Sequence, residues 1–172
     1  MRVFGGILAK DKLPKYDPTT KMAYIVNTDK SGEKGRHWIL LYCLPGSNAS
    51  GKGGGGGGSG RTLIYMDPLG KPPHFYNSHL TEFCSKFKKI IKLKSAVQSR
   101  QSSLCGLYVL YFLYYLARGN ELHAISRNFF RSNLLQNDKI VLRFCWQIFR
   151  HCPPIIKRQL LTLVYKHKSA VK

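Results

Sequence analysis

Residues 22–44 read MAYIVNTDKSGEKGRHWILLYCL. Two apolar runs, MAYIVN at 22–27 and HWILLYCL at 37–44, flank the polar stretch TDKSGEKGR at 28–36. Branched and aromatic residues favour strands, while Gly, Asp and Ser between them favour a turn. The second run is apolar at almost every position, which suits a central strand buried on both faces. Working outward, RTLIYM at 61–66 supplies a third strand after the segment PGSNASGKGGGGGGSG at 45–60. Such a low-complexity segment cannot pack a core, so 37–44 and 61–66 are expected to pair antiparallel across a long exposed loop. No Gly-Lys-Ser/Thr follows its glycines at phosphate-loop spacing.

Beyond the third strand, Asp67-Pro68-Leu69-Gly70 reads as a turn. A helix is expected over 78–88 with Ser78 placed to cap it, then a short strand at 90–93 and a polar loop at 98–103. Residues 104–118 form a long apolar helix closed by Gly119-Asn120. Two amphipathic helices follow at 138–151 and 154–166, parted by Pro153-Pro154. In the first, Ile140, Val141, Phe144, Ile148 and Phe149 share a face. Residues 1–18 read as a short mixed lead-in. There is no internal repeat, and composition does not shift enough to divide the chain. The expectation is one domain over 1–172, of α+β class, with a central, mainly antiparallel sheet packed by helices.

Composition narrows the function. The chain has 172 residues, 44% of them hydrophobic, with 10 Tyr and 9 Phe, enough for a core and too many for wholesale disorder. Lys and Arg number 28 against 8 acidic residues, a formal charge of +20. That imbalance suits a polyanionic partner. Five cysteines (Cys43, Cys84, Cys105, Cys145, Cys152) form no CxxC pair, and no secretory segment opens the chain. A disulfide framework and a zinc ribbon are therefore disfavoured, no metal is expected, and a reducing compartment is the default. The apolar run at 104–117 is shorter than the roughly 20 residues that span a bilayer, so a soluble protein without a membrane partner is expected.

The most reactive-looking stretch is QSRQSSLCG at 98–106. A cysteine opening a long helix sits at the positive end of its dipole among free backbone N–H groups, which favours thiolate, the nucleophilic form. Gly106 permits close approach of a substrate, and the Cys105 N–H is placed to donate to an oxyanion. An ordinary buried cysteine also fits Cys105 on local sequence alone. A nucleophilic Cys needs a base and the base an orienting group. Of six His, only His37 begins an apolar strand, where a side chain is held rigidly. Asp67 ends the strand expected to pair with it; it either reaches the imidazole or merely caps the turn that follows.

Taken together, AYIVNT…GEKGRHW, YMDPLG and VQSRQSSLCGLYVLYFL, in that order, resemble the adenovirus protease (adenain) family, and VFGGILAKDKLP at 3–14 resembles its N-terminal segment. These are thiol endopeptidases of the clan that includes SUMO- and ubiquitin-like-deconjugating proteases. The resemblance implies an adenain-type fold, with His37 as general base, Asp67 as its acidic partner where the best-known members have Glu, and Cys105 as nucleophile. It implies Gln98 as the oxyanion-hole amide; Gln101 is a nearer rival in sequence, but the VQ…CG register favours Gln98. Trp38 beside the base packs against it or simply fills core. The implied substrates are viral precursor polypeptides cut at Gly-rich sites during virion maturation, in the virion and host nucleus, by a monomer.

The resemblance also implies two activators: DNA, and a capsid-derived peptide joined through a disulfide. For DNA, the densest basic cluster is Lys86, Lys88, Lys89, Lys92 and Lys94, with Arg127, Arg131, Arg143, Arg150, Lys157 and Arg158 spread beyond it. At the family's cofactor cysteine this chain has residues 87–88, with Cys84 near but out of register. That departure, the Gly-rich segment and the brief C-terminus point to a diverged relative from another DNA virus or a virus-like element. Two alternatives stand: an isopeptidase removing a ubiquitin-like modifier, and a basic nucleic-acid-binding protein with an inactive protease fold.

Overall fold

The computed structural model describes residues 4–15, 21–45, 60–76 and 78–150. Its elements are β1 (Phe4–Ala9), β2 (Met22–Asn27), β3 (Trp38–Leu44), β4 (Thr62–Met66), α1 (Ser78–Ser85), β5 (Lys89–Lys92), α2 (Cys105–Ala117), α3 (Leu122–Ser126) and α4 (Leu134–Phe149). The helix expected over 154–166 lies outside the described residues, as do 46–59.

The class is α+β, and the five strands form one sheet in the order β1-β2-β3-β4-β5. The sheet is mixed, which corrects the mainly antiparallel expectation. β3 pairs antiparallel with β2 and β4, but β1 runs parallel to β2 and β5 parallel to β4. The two parallel edges arise from connections that no local strand signal records. β1 itself was hidden by its two glycines, which weaken a strand reading. Gly6 has φ +129° where the pairing slips between Phe4 and Gly6. A Cβ at Gly5 would lie 2.3 Å from Tyr24 Cε1, so the tyrosine ring needs that glycine.

β3 is apolar throughout because it feeds two cores. Alternate side chains leave opposite faces of a strand. Leu40 and Tyr42 join Ile64 and Met66 against α2 (Tyr108, Phe112), α3 (Leu122) and α4 (Val141, Phe144). Ile39, Leu41 and Cys43 join Val26, Leu63 and Tyr65 against Leu80, Phe83 and Cys84 of α1. α2 is therefore wedged between sheet and α4, which explains its nearly continuous apolar sequence. Its C-terminus closes on Gly119 at φ +88°, with Asn120 N–H and side chain both donating to the Tyr115 carbonyl.

Helix bounds also shift. α1 stops at Ser85, ahead of the expected 88, and β5 begins at Lys89. α4 starts at Leu134, not 138, because the Asn133 side chain accepts the Gln136 N–H and caps it. On α4, Val141 and Phe144 are buried and Ile140 and Phe149 pack beside them, but Ile148 is exposed.

Candidate active site

Antiparallel pairing of β3 and β4 places the start of one beside the end of the other; Leu40 faces Met66. His37 and Asp67, each one residue outside its strand, therefore share one end of the sheet. The His37 Nε2–H donates to Asp67 Oδ1 at 2.8 Å, both side chains being buried. A carboxylate only accepts, so the proton of the ring sits on Nε2 and Nδ1 faces elsewhere. The Cys105 thiol lies close enough to the same ring to raise its pKa.

Each member is held by its surroundings. The His37 carbonyl accepts the Thr28 N–H at 2.9 Å, closing the 28–36 turn. Inside that turn Asp29 accepts the Arg36 backbone N–H at 2.9 Å and its guanidinium at 3.1 Å through both carboxylate oxygens. Those bonds hold the Asp29 carboxyl below its ordinary value against the opposing pull of burial. Gly35 sits at φ +75°, where a Cβ would lie 2.4 Å from Asn27 Nδ2. The turn delivers His37 to its strand in one orientation.

Asp67 does both things the sequence left open. Its Oδ1 also accepts the Leu69 N–H at 2.8 Å, and Oδ2 accepts the Lys71 N–H at 3.0 Å and the Tyr76 hydroxyl at 2.7 Å. Four donors fix the carboxylate, and Tyr76 further stacks on the His37 ring at a centroid separation of 5.7 Å and 22° between planes. Burial, then the Asp67 contact, raises the Tyr76 hydroxyl far above its usual value, so it stays a donor.

Cys105 is the first residue of α2 and is 6% exposed. Leu104, at the N-cap, offers no side-chain acceptor, so no cap consumes the first N–H groups of the helix. Gly106 has ordinary φ, and a Cβ there would meet only Trp38 Cδ1, at 3.9 Å. Nothing inside the protein requires a glycine at 106; the space beside the thiol stays open without a side chain. Trp38 is half-buried, packs on the core and borders Gly106, which bears out the core-filling expectation; the ring that stacks on His37 is that of Tyr76.

Charge completes the picture. Burial pulls the His37 pKa down, but its interactions with Asp67 and Cys105 outweigh burial and raise it to about 9, which favours the imidazolium form at neutral pH beside the Asp67 carboxylate.

Gln98 is 2% exposed, whereas Gln101 is exposed. Gln98 Nε2 donates one hydrogen to the Ser102 carbonyl at 2.8 Å, leaving the second free, and its Oε1 has no partner. The loop carrying it is tied at both sides. Val97 and Gln98 N–H groups donate to the Pro68 carbonyl at 2.9 and 3.0 Å, directly beside Asp67. Gly70, φ +68°, permits this: a Cβ there would lie 2.8 Å from the Ala96 nitrogen. From α4, Asn137 Nδ2 donates to the Val97 carbonyl at 2.7 Å, and Asp138 Oδ1 accepts the Ser102 and Tyr108 hydroxyls at 2.9 and 2.8 Å.

Tyr76, Asn137 and Asp138 thus belong to the site and were not read from sequence. Scarcity was the available signal for Asp138. Acidic residues number 8 in the chain, and Asp29, Asp67 and Asp138 are buried. Cys43, Cys84 and Cys145 are buried too, which pushes each thiol up to about 12. Cys84 is buried in the core beneath α1. Cys152 lies outside the described residues. Lys86, Lys88, Lys89, Lys92 and Lys94 are all exposed; Lys86 borders a hollow with Lys10 and His79, and Lys94 one with Arg127 and Arg131. Among the described residues no cluster of three His, Cys, Asp or Glu suits a metal, and no helix is long and apolar enough to cross a membrane. No protein-family model matches the chain, and no curated protein matches it.

Proposed function

We propose that the protein is a cysteine endopeptidase of adenain type, with Cys105 as nucleophile, His37 as acid–base, Asp67 as the group orienting His37, and Gln98 as oxyanion donor. The observation that carries this reading is the meeting of His37 and Asp67 at one sheet end, Nε2 to Oδ1 at 2.8 Å, with the Cys105 thiol near enough to raise the His37 pKa. A cationic His37 facing the sulfur is the charge arrangement of a thiolate–imidazolium pair. The sulfur attacks the scissile carbonyl and the C–N bond breaks as His37 gives its proton to the leaving amine. Water, deprotonated by His37, then hydrolyses the thioester and releases the sulfur. The Cys105 N–H and the free Gln98 amide hydrogen serve the oxyanion. Asp67 holds the tautomer and offsets the imidazolium charge.

On this reading the substrates are Gly-Gly precursor sites of the kind adenain-type enzymes cut during virion maturation in the host nucleus, and the open space over Gly106 leaves room for a substrate backbone beside the thiol. The +20 charge supports DNA as a partner that confines enzyme and substrate together. The test is a panel of Gly-Gly peptides against ubiquitin-like fusions, with wild type and Cys105→Ala. Cleavage of the peptides by wild type alone supports the endopeptidase. Cleavage confined to fusions assigns an isopeptidase. DNA binding with no hydrolysis of either overturns the catalytic reading.

A further inference from the structure

Behind the Gln98 loop lies a hollow of about 370 Å³, walled on one side by residues 93–97 and on the other by α3 and residues 127–131. We propose that it binds a phosphorylated small molecule of nucleotide size. Three exposed cations, Lys94, Arg127 and Arg131, line it against a single carboxylate, Glu121. None of the three cations forms an ion pair with a described residue. Guanidinium forks match the oxygens of a phosphoryl group in pairs, and a doubly charged phosphoryl group suits this surplus of cations better than a single carboxylate. Phe130, 55% exposed, is on the same wall and offers a ring face to an aromatic body. The volume falls within the usual range for small-molecule sites and is too small to take a polymer chain along its length.

The hollow is wired to the loop. The Asn137 side chain holds both of its walls, donating to the carbonyls of Val97 and Phe130 and accepting the Phe130 N–H. Gln98 follows Val97 directly. A ligand drawing the walls together stiffens the segment that positions Gln98; this coupling rests on the reading of Gln98 as an oxyanion donor, while the binding itself does not.

Calorimetric titration of the full chain with inorganic phosphate and with adenosine monophosphate, at fixed ionic strength, tests the site. Both are expected to saturate at one per chain, the nucleotide more tightly. Arg127→Ala/Arg131→Ala should weaken both about tenfold or more, and Phe130→Ala should remove only the advantage of the nucleotide. Absence of saturable binding, binding indifferent to the arginine pair, or binding of long DNA alone overturns the site. The same titration on Cys105→Ala separates the claims: binding retained there stands whether or not the protein is a peptidase. Nucleotide should also slow hydrogen exchange at the Val97 and Gln98 amides; unchanged exchange overturns the coupling.

Discussion

At the scale of single residues, the proposed chemistry turns on the imidazole of His37, whose neighbours set its charge. Its pKa is raised to about 9, in part by the Asp67 hydrogen bond. A group raised in this way stabilises the fold fully below the unfolded value of about 6.5 and ceases to as pH climbs through the folded one. Cleavage is therefore expected to fall on the alkaline side near pH 9, and Asp67→Asn should move that limb to lower pH. A pH profile of kcat/KM for both proteins measures this. Tyr76→Phe removes one of four donors to Asp67 while keeping the stacked ring. It should cost about 1–2 kcal/mol by denaturant titration and shift the same alkaline limb. Gln98→Ala should lower kcat by about 10²–10³-fold with little change in KM, measured by steady-state kinetics. That His37 and Asp67 would meet was legible in sequence, because one begins and the other ends a pair of neighbouring strands, whereas Gln98 came only through the family resemblance. Tyr76 was not legible, since its partner lies nine positions away across a turn whose path the sequence does not encode locally.

At the scale of elements, α4 is both a core helix and the clamp on the Gln98 loop. Asn137→Ala leaves the Val97 and Phe130 carbonyls and the Phe130 N–H without their partner in a dry setting. A loss of about 2–4 kcal/mol is expected by thermal or denaturant unfolding, accompanied by faster hydrogen exchange across residues 97–102. The amphipathic pattern revealed α4 but misplaced its start. Hydrophobic periodicity reports the face that meets the core, whereas Asn137 and Asp138 lie buried for the sake of hydrogen bonds. The Asn133 side-chain cap marks the true beginning. The strands β2, β3 and β4 were legible from their apolar runs. β1 was not, because Gly5 serves the packing of Tyr24 and Gly6 the slip in pairing, and neither favours a strand.

At the scale of the whole molecule, two cores on opposite sheet faces absorb the apolar residues, and of the acids that are buried Asp67 and Asp138 hold the candidate site. With a net charge of +20 the protein is expected to bind double-stranded DNA without sequence preference. The logarithm of affinity should fall linearly with that of salt concentration, and Cys105→Ala should retain the same slope. Fluorescence anisotropy across a salt series measures it; a flat response removes the polyanion role. Sheet order and the parallel edges belong to this scale as well. They depend on how connections cross the sheet, which is why strand runs alone suggested an antiparallel arrangement.

The most direct measurement of the central claim is the rate at which each cysteine of the native protein is alkylated at neutral pH, followed by mapping of the modified sites. Cys105 should react first, and His37→Ala should slow it steeply. Cys43, Cys84 and Cys145 should react only on unfolding. A Cys105 that reacts no faster than those three, or whose rate ignores the loss of His37, contradicts the account.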